Sequence, residues 1–502
     1  MICRHYQTCP GCPLIDETYD TQRLLKGGRL RDALSWYPQL HLKDIPEVQA
    51  ATHTEAYRHR LKLPVDVQKD GVSVGLYHPR THAVLDTPDC PVLVGPLRSA
   101  LGVVRDWLKD RRGVHAIDLR YADATGALQL VIACDGASLK GGKAAVKELR
   151  ERLPALSSVA VSMADPERKR VMGRSPEIID GDPFIVEGIG EARYRLHPGA
   201  FFQSDPRNAA QLHAIVREMV GDAQTVLDLY AGVGAYALAL APGRKRVVAV
   251  EEVPQAARAA REMAPDNVEV VTSKVEDLDF REPFDVAILN PARRGSDLST
   301  LARVAQLAER IVYVSCGPEA LARDLDVLAA YGMRVQAIRP IDLFPQTSEV
   351  ETVVHLTRGS PLTTWAVHGG RATGPTQNGG VSGAVGQARE ALALVVHDPG
   401  SRGFAPGARW ERLGVVASHA LIRLQLDAPV EVPLRLFAQR GHPVAGHDPR
   451  TARFFAEKAG LQRPFVHITR ADRARAPLHG DLVQALISLG AESLLERLDV
   501  GP

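Results

Sequence analysis

Cysteine is the residue type whose positions in this chain point most directly to chemistry. The chain has six cysteines in 502 residues, and Cys3, Cys9 and Cys12 all lie within the first twelve. A C-x5-C-x2-C spacing with a distant fourth thiol suits a metal site, because four thiolates can hold either a [4Fe–4S] cluster or a structural zinc ion. The spacing alone does not separate these two metals. Cys134 lies inside an apolar run, which indicates a core thiol.

A further thiol, Cys316, stands at the end of an apolar run. The segment RIVYVSCGPEALARDL predicts a strand that ends at Cys316, a Gly-Pro turn and then a helix. We expect the N-terminus of this helix to lower the pKa of the thiol, although a buried strand cysteine would carry the same pattern. Further along, DLFPQTSEVETVVHL places Glu349 and Glu351 just before another apolar strand. A desolvated carboxylate there can act as a base, and an exposed edge position is the alternative.

A glycine-rich turn is the third feature with chemical potential. The string VLDLYAGVGAYALALA ends a strand, turns on Gly232 and Gly234 and begins a helix, and the next strand ends at Glu251, nineteen residues after Gly232. Such glycines admit a ligand close to the backbone, and the acid suits a ribose diol. The pattern fits a nicotinamide cofactor, S-adenosylmethionine or a structural turn. Asp228, which could face a methionine amine, and the segment NPARRG after the fourth strand favour S-adenosylmethionine.

Composition indicates a soluble globular protein. Lys and Arg exceed Asp and Glu by two, 45% of the residues are hydrophobic and 24% are charged. These values exclude disorder of the whole chain. The net charge is too small to require a polyanionic partner. The N-terminus lacks the apolar stretch of a secretory signal, and the most apolar long segment, Thr225 to Pro242, contains an Asp and two glycines. We therefore expect a cytoplasmic monomer with no membrane partner and no disulfide framework.

Alternation of apolar runs and helical segments predicts the architecture. Between residues 201 and 358 the runs TVLDLY, RVVAVE, VEVVT, FDVAILN and RIVYVSC alternate with helices, which is typical of an α/β fold. MRVQAIRPID and VETVVHLT predict a closing antiparallel hairpin. Residues 1–95 are predicted to hold the cysteine site and a small β region, and residues 96–200 a central α+β domain. A Gly-rich linker over 359–388 and a C-terminal piece over 389–502 complete the predicted division.

In their order along the chain, FFQSD, LDLYAGVG, Val250-Glu251, NPARRG, YVSCGP and FPQTSEVET resemble the RNA uracil-5-methyltransferase family. The match covers roughly residues 1–358. The resemblance implies a Rossmann-like class I methyltransferase domain, an N-terminal and central α+β region that binds RNA, and a C-terminal α+β appendage. It also implies that S-adenosylmethionine is contacted by Gln203, Tyr230, Glu251 and Asn290, that Cys316 is the nucleophile and Glu351 the base, and that Cys3, Cys9, Cys12 and Cys90 ligate one [4Fe–4S] cluster.

The chemistry of uracil agrees with these residue types. C5 of uracil is a poor nucleophile, but addition of a thiolate to C6 makes C5 enolate-like and able to take an electrophilic methyl group. A base must then remove the C5 proton so that the thiolate can leave. The target base must also leave its stack. The chain departs from the family pattern at Gly317, where Asn is usual, at Glu349, where His is usual, and at Ala231 and Ala292, where Cys and Pro are usual.

Two features make the chain most similar to one branch of the family. The position of Cys3 leaves no room for an N-terminal β-barrel RNA-binding module, and Asn rather than Asp stands at position 290. Both are typical of the subfamily that modifies a uridine in a domain II hairpin of 23S ribosomal RNA. The alternatives are the same reaction on the T-loop of tRNA, a catalytically silent RNA-binding or assembly factor and, more distantly, a nicotinamide-dependent oxidoreductase.

Two basic segments are candidate RNA contacts, with solvated surface as the alternative for each. One is the basic helix over residues 140–151. The other is YRHRLKL, with Arg58, His59, Arg60 and Lys62. Residues 389–502 faintly resemble the C-terminal part of one class of pseudouridine synthases but lack their Arg-Leu-Asp catalytic segment, so we expect an RNA-contacting module or an inert appendage there.

Overall fold

The computed structural model of the chain describes residues 1–359, 388–396, 399, 401–405, 408–416, 419–426, 466–471, 474–475, 486, 489 and 494, apart from short gaps at 36–39, 41, 43, 70, 82, 137–138, 165–170, 174–175, 279 and 281. The predicted Gly-rich linker over 359–388 lies outside these residues except at its two ends. No helix within the described residues is both long and apolar enough to cross a membrane.

The first part of the chain forms a six-stranded sheet. Its elements are α1 (Tyr19–Ser35), β1 (Arg60–Val67), β2 (Val72–Val74), α2 (Gly95–Leu108), β3 (Val114–Tyr121), β4 (Leu128–Cys134), α3 (Gly142–Arg152), β5 (Leu156–Met163) and β6 (Glu177–Gly181). The strand order is β2-β1-β3-β4-β5-β6, with β4 and β5 parallel. Cys134 is buried at the end of β4, as its apolar surroundings predict. β1 pairs with β3 across residue 95, so the stretches 1–95 and 96–200 share one sheet.

A hairpin and a larger sheet follow. Their elements are β7 (Ile185–Ile189), β8 (Ala192–Leu196), α4 (Pro206–Val220), β9 (Thr225–Leu229), α5 (Ala235–Leu240), β10 (Arg246–Glu251), α6 (Pro254–Met263), β11 (Val268–Thr272), β12 (Phe284–Leu289), α7 (Leu298–Leu307), β13 (Ala308–Ser315), α8 (Pro318–Ala330), β14 (Met333–Ile341) and β15 (Glu351–Arg358). The sheet has the order β11-β10-β9-β12-β13-β15-β14. Its first five strands are parallel, and β15 runs antiparallel to β13 and β14. This confirms the Rossmann-like α/β fold and the closing antiparallel hairpin.

The strand order explains where a ligand site must lie. The chain passes from β9 to β10 and β11 on one side and then returns to β12 on the other. At such a reversal the carboxyl ends of parallel strands form a crevice that binds ligands. Tyr230, Glu251, Asn290 and Cys316 all stand at or directly after the carboxyl ends of β9, β10, β12 and β13. The fold therefore gathers them at one edge of the sheet.

Helices cover both faces of this sheet because side chains alternate along each strand. Leu227 and Leu229 of β9 pack into a core that includes α7 and α8, whereas Val226 packs into a core that includes α4 and α5. Leu30 and Leu34 of α1 join the first of these cores. The N-terminal helix is therefore packed onto the sheet that carries the crevice.

The described C-terminal residues form a third sheet. Its strands are β16 (Ala388–Val396), β17 (Arg402–Ala405), β18 (Ala408–Val416), β19 (His419–Leu426), β20 (Val466–Ala471) and β21 (Ala474–Arg475). All described pairs are antiparallel, in the order β17-β18-β19-β16-β20-β21. The likeness of this region to pseudouridine synthases, and the division of the chain into domains, stay predictions.

Candidate active site

The glycine-rich turn joins β9 to α5. Tyr230, directly after β9, has a φ of 59°, and Gly232 follows with a φ of 57°. This left-handed conformation is uncommon for a residue with a side chain, so the turn is held by its surroundings. The buried Glu251 carboxylate accepts the backbone N–H groups of Gly232 and Val253, both at 2.8 Å. The same carboxylate therefore ties the turn to the end of β10.

The structure brings together three of the four residues predicted to contact a cofactor. Tyr230, Glu251 and Asn290 stand at the ends of adjacent strands, because β9 pairs with β10 on one side and with β12 on the other. Gln203 lies half-buried in the segment between β8 and α4, not at a strand end. Phe201, two residues before Gln203, is 70% exposed.

Asp228, next to the last residue of β9, is a fully buried acid. Its Oδ2 accepts the backbone N–H of Ala237 at 2.8 Å, whereas its Oδ1 is buried with no hydrogen-bond partner among the described residues. Burial raises the pKa of this carboxyl to about 7, and the charge of Glu251 adds to the rise. A buried acceptor without a donor is costly, so this oxygen is suited to a cationic or N–H-bearing ligand.

Cys316 and Glu351 lie on neighbouring antiparallel strands. Cys316 directly follows β13, and Glu351 is the first residue of β15. Ser315 is opposite Thr352 in the register of these strands, so the next pair outward is Cys316 with Glu351. Directly opposite residues carry their side chains on one face, with Cβ atoms about 4.5–5.5 Å apart. The register thus sets a thiol beside a carboxylate.

The prediction that Cys316 has a lowered pKa is wrong. Burial raises the pKa of this thiol, and the nearby Glu351 carboxylate raises it further. Desolvation and a like charge both disfavour the thiolate. The opposing group is Arg293, whose positive charge near the thiol lowers the pKa of Cys316.

Burial has an even larger effect on Glu351. This residue is 4% exposed, and burial raises the pKa of its carboxyl to about 8. The positive charge of Arg293 opposes this rise and the negative charge of Glu349 adds to it. A carboxyl with such a pKa exchanges its proton near neutral pH, which suits a general base.

Arg293 is a site residue that was not predicted. It is two-thirds exposed, donates a hydrogen bond from Nη1 to Glu349 Oε1 at 3.0 Å and lies close enough to Cys316 for its charge to lower the pKa of that thiol. The signal in the sequence was the pair of arginines in the segment NPARRG, which follows β12. Glu349 was noted as one of two acids just before a predicted apolar strand and as a departure from the family pattern. The structure shows it as the partner of this arginine.

Comparisons with known proteins show which family this chain resembles. A family model described as tRNA (Uracil-5-)-methyltransferase matches residues 143–359. An uncharacterized RNA methyltransferase of Thermotoga maritima is 31% identical over 383 residues, which cover 71% of this chain and 84% of the relative. A second, from Clostridium tetani, is 29% identical over 379 residues, with coverage of 71% and 82%.

The chain belongs to the RNA uracil-5-methyltransferase family. It is accordingly an S-adenosylmethionine-dependent RNA methyltransferase with a class I fold. Among solved structures, the Pyrococcus abyssi tRNA (uracil-54, C5)-methyltransferase in complex with S-adenosyl-L-homocysteine superposes with a TM-score of 0.57. The two are 25% identical, and the match covers 70% of this chain and 86% of that one.

In this methyltransferase the four N-terminal cysteines converge. Cys3, Cys9, Cys12 and Cys90 are free thiols that line one cavity of about 140 Å³, together with Arg58. Burial raises the pKa of Cys12 to about 12, and the other three thiols add to the rise while Arg58 opposes it. Within the described residues, however, no three His, Cys, Asp or Glu side chains are arranged to hold a metal ion. The four thiols are neighbours without forming a ligand set.

The prediction of RNA contacts in YRHRLKL is wrong for two of its four basic residues. His59 and Arg60 are 2% and 8% exposed. The Arg60 guanidinium donates to both carboxylate oxygens of Asp118, at 2.9 and 2.6 Å, and to backbone carbonyls. The positive charge of Arg60 is therefore paired with Asp118 inside the protein. Lys62 is exposed, and Arg58 lines the cysteine cavity.

The basic helix is present as α3 (Gly142–Arg152), with Lys143, Lys147 and Arg152 exposed. Arg150 donates to Asp180 at 2.6 Å. Three cations of this helix are thus on the surface, and their contact with RNA stays a prediction.

Proposed function

We propose that this methyltransferase transfers a methyl group from S-adenosylmethionine to C5 of a uridine in 23S ribosomal RNA, with Cys316 as nucleophile and Glu351 as base. The observation that carries the proposal is the register of β13 and β15, which makes Cys316 and Glu351 neighbours at the carboxyl edge of the sheet. Arg293 at the thiol and a high pKa at Glu351 add the electrostatics that such a pair needs.

The roles follow from what each group can do to a uracil ring. The Cys316 thiolate bonds to C6, and the electron pair displaced from the C5–C6 double bond makes C5 nucleophilic. After C5 has been methylated, Glu351 removes the C5 proton. The electron pair of that C–H bond then re-forms the double bond and expels the thiolate. The uridine must be turned out of its stack to reach both side chains.

Residues of the crevice are suited to hold S-adenosylmethionine. Glu251 at the end of β10 fits a ribose diol, and the unpartnered Asp228 Oδ1 fits the amine of the methionine part. Tyr230, Asn290 and Gln203 complete the contacts that the family pattern implies. When bound, the cofactor supplies an electrophilic methyl group.

Replacement of Glu251 by Gln is expected to weaken binding of S-adenosylhomocysteine about ten- to a hundred-fold, because a charged acceptor is lost where two hydroxyl groups would bind. Isothermal titration calorimetry of the full chain measures the dissociation constant. Glu252→Gln is the matched control, since Glu252 is the exposed neighbour of Glu251 and is expected to leave the affinity unchanged. Equal affinity in the two variants would contradict the assignment.

We further propose that Cys3, Cys9, Cys12 and Cys90 hold a [4Fe–4S] cluster. The support is that the four thiols line one cavity and each is close enough to raise the pKa of Cys12. Clustered thiols can give up their protons when they bind a metal, and four-sulfur donor sets are typical of iron–sulfur clusters and of zinc. Bound there, the cluster would staple the N-terminal segment to β1 and to the residues after β2.

For the cluster, anaerobically purified wild-type protein is expected to contain iron and acid-labile sulfide in equal amounts, and Cys12→Ser to lose both. Cys134→Ser is the matched control, because that cysteine is buried in β4 and is not among the residues of the cavity. Elemental analysis decides. If the wild type contains zinc and no sulfide, the site is a zinc site and the cluster assignment is wrong. Metal-free wild-type protein would contradict any metal site.

The choice of 23S ribosomal RNA rests on the cysteine pattern and on Asn290. The tRNA alternative is supported by the description of the matching family model and by the tRNA-modifying enzyme of known structure. Nucleoside mapping of both RNA pools from a strain without this protein separates them. Loss of one 5-methyluridine from 23S ribosomal RNA supports the proposal, and loss confined to tRNA overturns the choice of RNA.

A further inference from the structure

The segment that precedes Glu351 is held by hydrogen bonds and ion pairs to the N-terminal helix α1. Gln22, Lys26 and Arg29 recur at helical spacing and so lie on one face of α1. Lys26 Nζ donates to Asp342 Oδ1 at 2.6 Å, and both side chains of this ion pair are fully buried. Because one partner left alone would be a buried unpaired charge, this contact fixes the start of the 342–350 loop against α1.

The middle of this loop is held just as firmly. Gln346 is buried and has a φ of 70°, which is unfavourable for a residue with a side chain. Its backbone N–H donates to Gln22 Oε1 and its side-chain Oε1 accepts from Gln22 Nε2, both at 2.9 Å. Its carbonyl accepts from Leu14 N–H at 3.0 Å, and its Nε2 donates to Thr54 O at 3.3 Å. The loop conformation therefore depends on the N-terminal segment.

At the end of the loop, Glu349 lies between two arginines, Arg29 and Arg293. The Arg29 guanidinium donates from two nitrogens to both carboxylate oxygens of Glu319 at 3.1 Å, and from Nη1 to Ser348 O at 3.3 Å. Its Nη1 lies 3.8 Å from Glu349 Oε2. Glu349 Oε1 in turn accepts from Arg293 at 3.0 Å. Arg29 is thus separated from the arginine at the active site by a single carboxylate.

Glu349 needs both arginines. Its Oε2 is buried and accepts no hydrogen bond among the described residues, so the positive charge of Arg29 is what offsets it there. Without Arg29, the full negative charge of Glu349 would act on Arg293 and draw it from the thiol. The groups that face Cys316 are Glu351 and Arg293, with Glu349 and Glu319 behind Arg293.

We propose that Arg29 of α1 is a positioning residue for the nucleophile, because it offsets the charge of Glu349 and so keeps Arg293 beside Cys316. The proposal rests on the role proposed above for Cys316. It assigns the N-terminal segment a part in the chemistry of the crevice in addition to its cysteine site.

Alkylation of Cys316 by iodoacetamide tests this, because it needs neither S-adenosylmethionine nor RNA and reports how readily the thiolate forms. The full-length variants are Arg29→Gln, Arg29→Lys and Glu349→Gln, with Arg31→Gln, an exposed arginine of the same helix, as the matched control. The rate is followed by mass spectrometry of the peptide that contains Cys316, as a function of pH. A thermal melt of each variant checks folding.

We expect Arg29→Gln to slow alkylation at neutral pH about three- to ten-fold and to move its pH profile upward, since a nearby positive charge is lost. Glu349→Gln should move the profile in the opposite direction, Arg29→Lys should restore part of the rate, and Arg31→Gln should match the wild type. Equal rates for Arg29→Gln and Arg31→Gln would overturn the proposal, as would slowing by both Arg29→Gln and Glu349→Gln.

Failure of the proposed function has a different signature. In that case the alkylation pattern persists while the wild type transfers no methyl group to RNA. If Arg29→Gln did not fold, Arg29→Lys and Glu349→Gln would still decide, because unchanged profiles in both contradict control through Glu349.

Discussion

Replacement of Cys316 by Ala is expected to stop methyl transfer to RNA, with a loss of rate on the order of 10³-fold or more. The reason is chemical. Without a thiolate at C6, C5 of uracil never becomes nucleophilic enough to take the methyl group, and Glu351 cannot substitute because it acts after methyl transfer. Single-turnover transfer of label from S-adenosylmethionine measures the loss. Binding of S-adenosylhomocysteine should be unchanged, because Cys316 follows β13 whereas the proposed ribose contact ends β10.

Cys134→Ala is the matched control for this variant. That thiol is buried at the end of β4, in the N-terminal six-stranded sheet. Its removal is expected to lower the stability of the protein slightly and to leave the rate of methyl transfer unchanged. Transfer by Cys316→Ala at a rate near that of the wild type would contradict the nucleophile assignment. So would equal losses in both cysteine variants.

Glu351→Gln is expected to let the reaction start and to block its end. Gln cannot take the C5 proton, so the methylated uridine should stay bonded to Cys316, and turnover should fall about 10²- to 10⁴-fold. A covalent complex of RNA and protein that survives denaturing electrophoresis is the predicted readout. Glu309→Gln, at an exposed carboxylate of β13, serves as the control and should form no lasting complex. Loss of turnover without such a complex would contradict the role of Glu351 as the base.

The same residue predicts a pH dependence. Glu351 removes a proton only when it is itself deprotonated, and burial raises the pKa of its carboxyl to about 8. The release step should therefore speed up as pH rises through about 8 and level off above it. Single-turnover release of methylated RNA across this range tests the expectation. A release rate that is flat below this pH would place the proton-accepting group elsewhere.

The parallel sheet was predictable because local sequence determines it. Each of its strands is an apolar run followed by a turn, and residues that follow the runs must meet at one edge once the strands are parallel. Tyr230, Glu251, Asn290 and Cys316 are placed by this rule. The pairing of Cys316 with Glu351 is different, because it depends on the register between β13 and β15. Only the family resemblance suggested it before the structure supplied the register.

Long-range electrostatics was the part that the sequence did not reveal. The run of basic residues in YRHRLKL indicated a surface, yet Arg60 is buried by an ion pair with Asp118 on the neighbouring strand. The pKa of Cys316 was misjudged for a similar reason, because burial and the distant Glu351 carboxylate raise it and neither can be read from the helix beside the thiol. Arg29 is another such case. Its partners Glu319 and Glu349 follow from packing of α1, which no spacing of charges predicts.

The most direct test of the account is methyl transfer from labelled S-adenosylmethionine to unmodified 23S ribosomal RNA, with the wild type beside Cys316→Ala and with tRNA as a parallel substrate. We expect label to appear as 5-methyluridine in the ribosomal RNA with the wild type alone. A folded wild type that binds S-adenosylhomocysteine yet labels neither RNA would contradict it and would favour a catalytically silent RNA-binding factor.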